Sequence, residues 1–247
     1  MSRWSAERLR IGLSPGEAAL RRGAQTLRLR AAERGPGALL APLAEALADP
    51  AWQGGPVDVV LSQHFVRHVT TPPPLAALAR DEAHALVSAG FEDIYGEEAA
   101  AWTVAVHDQP PHHGLVGAAV DTAFVQRLDA LLAAQGFRAS TIRPLCAVAA
   151  PRLPRKFNGW WALIEPGWMS LFRLRRGIWE ATAAQPVDTA WPEALTEFTA
   201  RDADSAAPPA VCVQPVGVGA VAAASNAAWQ VLAHDDAAYG ALALAGI

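Results

Sequence analysis

Two stretches about 151 positions apart share one layout, and a long-period repeat of this kind restricts the fold more than any other feature of the chain. Residues 160–182 (WWALIEPGWMSLFRLRRGIWEAT) read as a strand, a turn at Glu165-Pro166-Gly167, a second strand, a tighter turn at Arg176-Gly177 and the start of a third strand. Residues 8–31 (RLRIGLSPGEAALRRGAQTLRLRA) repeat that order, with Pro15-Gly16 falling on Pro166-Gly167 and Leu20 on Leu171. A β-hairpin unit opening each half predicts a pseudo-symmetric, two-lobed α/β protein with a cleft between the lobes.

The rest of the chain fills in this plan. Leu40, Leu43 and Leu47 recur at helical spacing, which predicts a short helix over 38–48 ended by Asp49-Pro50. The continuous apolar run VDVVL at 57–61 predicts a strand buried on both faces. From Gln63 a middle segment reads strand, helix, strand, strand, helix, strand. Its expected parts are a strand at 64–70, a long helix up to Tyr95-Gly96 on the Leu75, Leu78, Leu86 and Ile94 face, and strands at 102–107 and 115–120. A helix capped by Asp121 with Phe124, Leu128, Leu131 and Leu132 on one face follows, then a strand at 137–142. Expected boundaries are 1–62 for the first lobe, 63–146 for an inserted strand/helix subdomain and 147–247 for the second lobe. PRLPRKFN (151–158) is a basic link into the second hairpin unit. A helix over 189–201 with Asp188 as cap, a strand at 211–213 and a helix at 227–234 complete the expectation.

A net charge of −4 provides no bulk basic field for nucleic acid or anionic lipid. Cys146 and Cys212 lack metal-ligand spacing and suggest a reducing compartment. The N-terminus lacks the apolar core of a signal peptide, and no apolar run approaches the roughly 20 residues that span a bilayer. A soluble, cytoplasmic chain is expected.

The paired hairpin units, with a small strand/helix subdomain after the first sheet, resemble the actin-like ATPase superfamily (a ribonuclease H-like, two-lobed α/β fold). More narrowly, VDVVLSQHFVRHVTTPPP and VDTAFVQRLDALLAAQGFRASTIRP are similar to passages entering and closing the inserted subdomain in the type IV pilus assembly protein PilM and in the cytoplasmic domain of the type II secretion protein GspL. The likeness covers about residues 8–215. In that superfamily each hairpin turn is a phosphate loop of the form Asp-x-Gly-Ser/Thr, whose Asp organises Mg²⁺ and whose backbone N–H groups cradle phosphate. On those positions this chain has Ser14, Pro15, Gly16 and Glu17 in the first loop, and Glu165, Pro166, Gly167 and Trp168 in the second. Both glycines match. Each proline removes a donor from its cradle, Glu17 sets negative charge against phosphate, and Trp168 fills space a nucleotide needs. The loops read as degenerate, so no nucleotide cofactor is expected.

Other chemistry is thinly supported. His107, His112 and His113 with Asp108 sit on a Pro-rich loop that reads as an exposed hairpin tip, and no metal site is expected. His64 and His68 read as one polar strand face, and Gly217-Val218-Gly219 lacks the context of a dinucleotide fingerprint. On a strand Trp160 and Trp161 point to opposite faces, so one of them is a candidate partner anchor. The resemblance implies a non-catalytic cytoplasmic scaffold of an inner-membrane assembly platform. Such a protein sits at the membrane face by binding a membrane-anchored PilN-like protein or its N-terminal peptide, and further platform subunits; neither nucleic acid nor a membrane span is implied. The chain has no attached membrane helix and so looks more like stand-alone PilM, with a shortened second half. The alternatives are an ATP-binding PilM-like switch and a small-molecule kinase-type enzyme using the same cleft. The scaffold reading requires a peptide groove beside the inserted subdomain.

Overall fold

The computed structural model describes residues 8–107, 109–137, 140–201, 210–218, 229–232 and 240–246. In chain order its elements are β1 (Leu9–Ser14), β2 (Glu17–Arg22), β3 (Gln25–Arg30), α1 (Leu40–Leu47), β4 (Val57–Leu61), β5 (Arg67–Thr70), α2 (Arg80–Tyr95), β6 (Trp102–His107), β7 (Val116–Asp121), α3 (Thr122–Ala134), β8 (Ser140–Pro144), α4 (Leu145–Ala149), β9 (Gly159–Glu165), β10 (Trp168–Arg175), β11 (Ile178–Pro186), α5 (Trp191–Ala200), β12 (Ala210–Pro215), β13 (Trp229–Val231) and α6 (Ala241–Gly246).

The repeat is structural. The first sheet has strand order β3-β2-β1-β4-β8 and the second β11-β10-β9-β12-β13, the same topology twice. In each, two antiparallel pairings form the hairpin unit and the following strands add in parallel. Alternation decides what each strand buries. Leu9, Ile11 and Leu13 of β1, Ala18 and Leu20 of β2, and Val57, Val59 and Leu61 of β4 all enter one core under α1 and α3. The opposite face of β1 and β2 presents Gly12 and Ala19 to α6. Val60 of β4, α4, the Leu244 side of α6 and the Trp161, Leu163 and Phe172 face of the second sheet form a further core that joins the lobes. Trp160, Ala162 and Leu171 face the other way and pack under α5.

Several expectations change. The inserted unit is the antiparallel sheet β5-β7-β6 with α2, whereas α3 and β8 return to the first lobe. β8 pairs in parallel with β4, and Phe124, Leu128 and Leu132 seal the first core, so the boundary expected at 146 lies near 121 instead. A strand–helix–strand pattern does not reveal which sheet its last strand joins. The 64–70 strand begins only at Arg67, because Gln63–Phe65 forms a 3₁₀ turn started by Ser62, whose Oγ accepts the His64 N–H. α2 starts at Arg80 and buries Ala83, Val87 and Phe91, leaving Leu75, Leu78, Leu86 and Ile94 exposed. The expected 227–234 helix contains a strand at Trp229–Val231, paired with β12, with residues 227, 228, 233 and 234 outside the described residues. Asp188 accepts the Ala190 N–H just ahead of α5.

The inserted unit is also tied to the second lobe. The Gln109 side chain pairs with the Trp179 backbone as a strand residue would, accepting its N–H (2.7 Å) and donating to its carbonyl (2.9 Å).

The docking of α6 depends on the bare Cα of Gly12, where a Cβ would lie 2.2 Å from the Ala241 carbonyl oxygen and 2.7 Å from the Ala245 nitrogen. Backbone cannot yield as a flexible side chain can. Gly12→Ala is therefore expected to lower stability by about 2–3 kcal/mol in urea unfolding; an unchanged midpoint would mean that α6 is not seated on β1.

Candidate functional site

The two Pro-Gly turns are geometric twins. Ser14 pairs with Glu17 across the first and Glu165 with Trp168 across the second, and Gly16 and Gly167 have φ of 79° and 81°, a left-handed conformation that glycine adopts without strain. The side chains that flank both are engaged within the chain. In the first turn Glu17 pairs with Arg30 (Nε–Oε1 3.3 Å). Its other oxygen lies so close to Gly240 that a Cβ there would come within 2.3 Å, and Gly240 in turn donates its N–H to the Gly217 carbonyl (3.2 Å). Gly217 thus serves as a close-packing glycine; Gly219 lies outside the described residues.

In the second turn Glu165, 3% exposed, accepts the Gln63 N–H at 2.8 Å and a hydrogen bond from the Ser62 hydroxyl. Both donors belong to the segment that leaves β4 in the first lobe, so the carboxyl group is a bridge between lobes and not a ligand facing an open cleft. Next to it the His64 ring meets the Pro166 carbonyl oxygen (3.0 Å) and lies 5.1 Å from the Trp168 ring. The sequence gives no sign of this His64–Trp168 contact, which joins residues of the two lobes. Behind them Gln63 contacts His68 (3.0 Å), whose ring lies against Cys146. Among the described residues no three His, Cys, Asp or Glu side chains gather as a metal site, and Asp108 lies outside them.

Burial sets the charge states here. It pushes Glu165 up to about 7, against which the Ser62 and Gln63 hydrogen bonds pull only partly, and it pulls His68 down to about 4.

The tryptophan expectation is corrected. Trp160 and Trp161 do point to opposite faces, but they are 5% and 0% exposed, because the second sheet is covered on both sides. Trp160 packs edge-on to Phe198 of α5, while Trp161 donates to Gln214 (3.2 Å) and packs on Phe172. Neither can anchor a partner.

A groove of about 200 Å³ lies instead between the first lobe and the inserted unit. Phe65 and Phe124 form its first-lobe wall, and Trp102 of β6 and Val120 of β7 the other; Arg67, His64 and Asp121 supply polar rims. Asp121 is also the α3 cap, accepting the Phe124 N–H (2.6 Å). In sequence Asp121 reads only as a helix cap, Phe124 as part of a helix face and His64 as part of a strand face; that they line one groove is not legible, because its walls come from elements far apart along the chain.

A duplicated five-stranded α/β lobe with a unit inserted after the fourth strand of the first copy defines the actin-like ATPase fold. The chain is similar over 97% of its length to the cytoplasmic domain of EpsL, an inner-membrane component of the type II secretion system of Vibrio cholerae (15% identity, 93% of that chain, TM-score 0.57). It is similar over its whole length to a Bacteroides thetaiotaomicron protein with an actin-like ATPase fold (11% identity, 99% of that chain, TM-score 0.58). The PilM–PilN type IV pilus biogenesis complex also matches (16% identity, 83% and 67% coverage, TM-score 0.49). No family model and no curated protein matches the sequence.

The pH dependence of folding follows from the two shifted groups. Glu165 holds its proton to about pH 7 in the native state, against an ordinary 4.5, so the folded protein binds more protons in that interval and its contribution is lost as pH rises from about 4.5 to 7. His68 acts oppositely: its contribution is present above 6.5 and lost as pH falls towards 4. Glu165→Gln should therefore raise stability by on the order of 2 kcal/mol at pH 8 and change it little at pH 5. Parallel Tm–pH profiles for the two proteins would show that Glu165 does not titrate as described.

Proposed function

We propose that this chain is a non-catalytic cytoplasmic scaffold of an inner-membrane assembly platform of the type II secretion or type IV pilus kind. In this reading it holds a short segment of a membrane-anchored, PilN-like partner in the groove between its first lobe and inserted unit. The observation that carries the reading is the contrast between the two candidate sites. At both hairpin turns the flanking carboxyl group is engaged within the chain, Glu17 with Arg30 beside Gly240 and Glu165 with the Gln63 N–H, next to the His64–Trp168 contact, while the groove is walled by Phe65, Trp102 and Phe124.

The turn geometry argues against phosphate. A cradle needs successive N–H donors and no competing negative charge. Pro15 and Pro166 each lack a donor, and Glu17 brings a carboxylate to the first turn. The groove, by contrast, offers aromatic walls for an apolar anchor and a polar rim for the backbone of an extended peptide. The EpsL cytoplasmic domain, whose fold this chain shares, supports the choice of machine. Among the described residues no helix is long and apolar enough to cross a membrane.

Calorimetric titration with ATP and Mg²⁺, paired with thermal shift, is expected to give neither saturable heat nor stabilisation. A saturable heat with a raised Tm would transfer the reading to a nucleotide-binding switch. On the partner side, Trp102→Ala is expected to abolish co-purification with a single-pass inner-membrane protein while leaving the far-UV spectrum unchanged. Retained co-purification would remove the groove from the proposal.

A further inference from the structure

The net charge of −4 conceals a local excess of cations at one end of the second lobe. The basic link folds there into a turn closed by the Phe157 N–H donating to the Pro154 carbonyl (3.1 Å), with Arg155 and Lys156 at its centre. Beside it is the β10–β11 hairpin, in which Arg175 pairs with Ile178 and leaves Arg176-Gly177 as a two-residue loop. The Gly177 N–H donates to the Phe157 carbonyl (2.9 Å), and a Cβ on Gly177 would lie 3.9 Å from the Lys156 Cα, so the two turns form one tip. Arg152, Arg155, Lys156, Arg175 and Arg176 are all exposed on or beside it. Glu180 pairs with Arg175 at 2.8 Å; among the described residues the other four cations have no carboxylate within ion-pair distance. Lys156 is the only lysine in the chain.

The backbone at this tip is poorly suited to the residues it carries. Lys156 (φ 57°) and Arg176 (φ 53°) both occupy the left-handed region, where glycine or asparagine sits with less strain. Arg176 and Gly177 together, both at positive φ, make the mirror-image hairpin turn for which Asn-Gly is the preferred pair. A neutral residue would serve each turn better, so turn formation does not account for the positive charge at either position. Strain maintained at an exposed position points to a use for the side chain.

We propose that this tip is an electrostatic contact with the anionic headgroups of a lipid bilayer surface. Clusters of about four to eight Lys or Arg side chains bind anionic membranes through small, roughly additive attractions to many headgroups, without a shaped pocket. A pair of turns projecting from the end of a sheet suits a plane of charge, whereas an acidic peptide would need a converging wall. The contact is separate from the groove and involves none of its residues. It would orient the chain on the membrane independently of any partner.

The test is co-sedimentation of the full chain with vesicles of phosphatidylcholine, with and without a one-third share of phosphatidylglycerol. Binding is expected only with the anionic lipid and is expected to fade as salt rises. Lys156→Asn with Arg176→Asn should weaken it about thirty-fold, at roughly five-fold per cation, while Tm holds or rises because asparagine suits both turns. The charge-matched variant Arg28→Gln with Arg80→Gln should bind as the native chain does. Absence of anionic-lipid binding, undiminished binding by the asparagine variant, or equal loss in the charge-matched variant would each overturn the proposal. So would binding to soluble polyglutamate through the same residues without binding to vesicles, which would make the tip a contact for an acidic protein segment. None of these outcomes bears on the ATP titration or the groove variant.

Discussion

The closed arrangement of the two lobes turns on one buried carboxyl group. Withdrawing a carboxylate from water is costly unless hydrogen bonds replace the lost hydration, and the donors Glu165 finds are the Gln63 N–H and the Ser62 hydroxyl of the opposite lobe. Opening the interface would leave these polar groups to solvent or unpaired. It would also separate His64 from Pro166 and Trp168 and part the core shared by Val60, Leu244 and Trp161. The same 3₁₀ turn that supplies the Gln63 N–H carries Phe65 into the groove, so the lobe contact and the proposed peptide site rest on one short segment.

The two hairpin turns share one backbone geometry but carry different flanking side chains. The Pro-Gly pairs place glycine at nearly equal φ, and the strands of the two lobes pair in the same order. What differs is the chemistry at the turn flanks. A carboxylate at position 17 is held by Arg30 and covered by Gly240, and one at position 165 is consumed in joining the lobes.

Much of the architecture could be read from residue order. The offset relating Pro15-Gly16 to Pro166-Gly167 located both hairpin units, the VDVVL run marked β4, and Asp121 capped α3 as its type and position implied. What escaped was set by distance along the chain. Nothing near Glu165 indicates a partner 102 residues away, and nothing in 137–144 indicates that β8 joins β4 instead of closing the inserted unit. The apolar spacing before and within α2 imitated a buried face, but Ala83, Val87 and Phe91 are the residues that pack in the core with the sheet β5-β7-β6, while Leu86 and Ile94 stay exposed and Leu75 and Leu78 precede the helix. Trp160 and Trp161 alternate as a strand requires; their full burial depended on helices covering both faces, which a two-residue pattern does not encode.

Gln109 has a consequence for assembly. An outermost strand with unpaired backbone groups is a template for adding a strand from another molecule, and β11 is the outermost strand of the second sheet. By pairing with both backbone groups of Trp179, the Gln109 amide acts as a stopper at the start of that strand, a side chain standing where a neighbouring chain would begin to zip. Its Nε2 also donates to the Gly114 carbonyl (2.6 Å), which pins the stopper to its own loop. One amide thus occupies the end of an edge that another chain could otherwise extend.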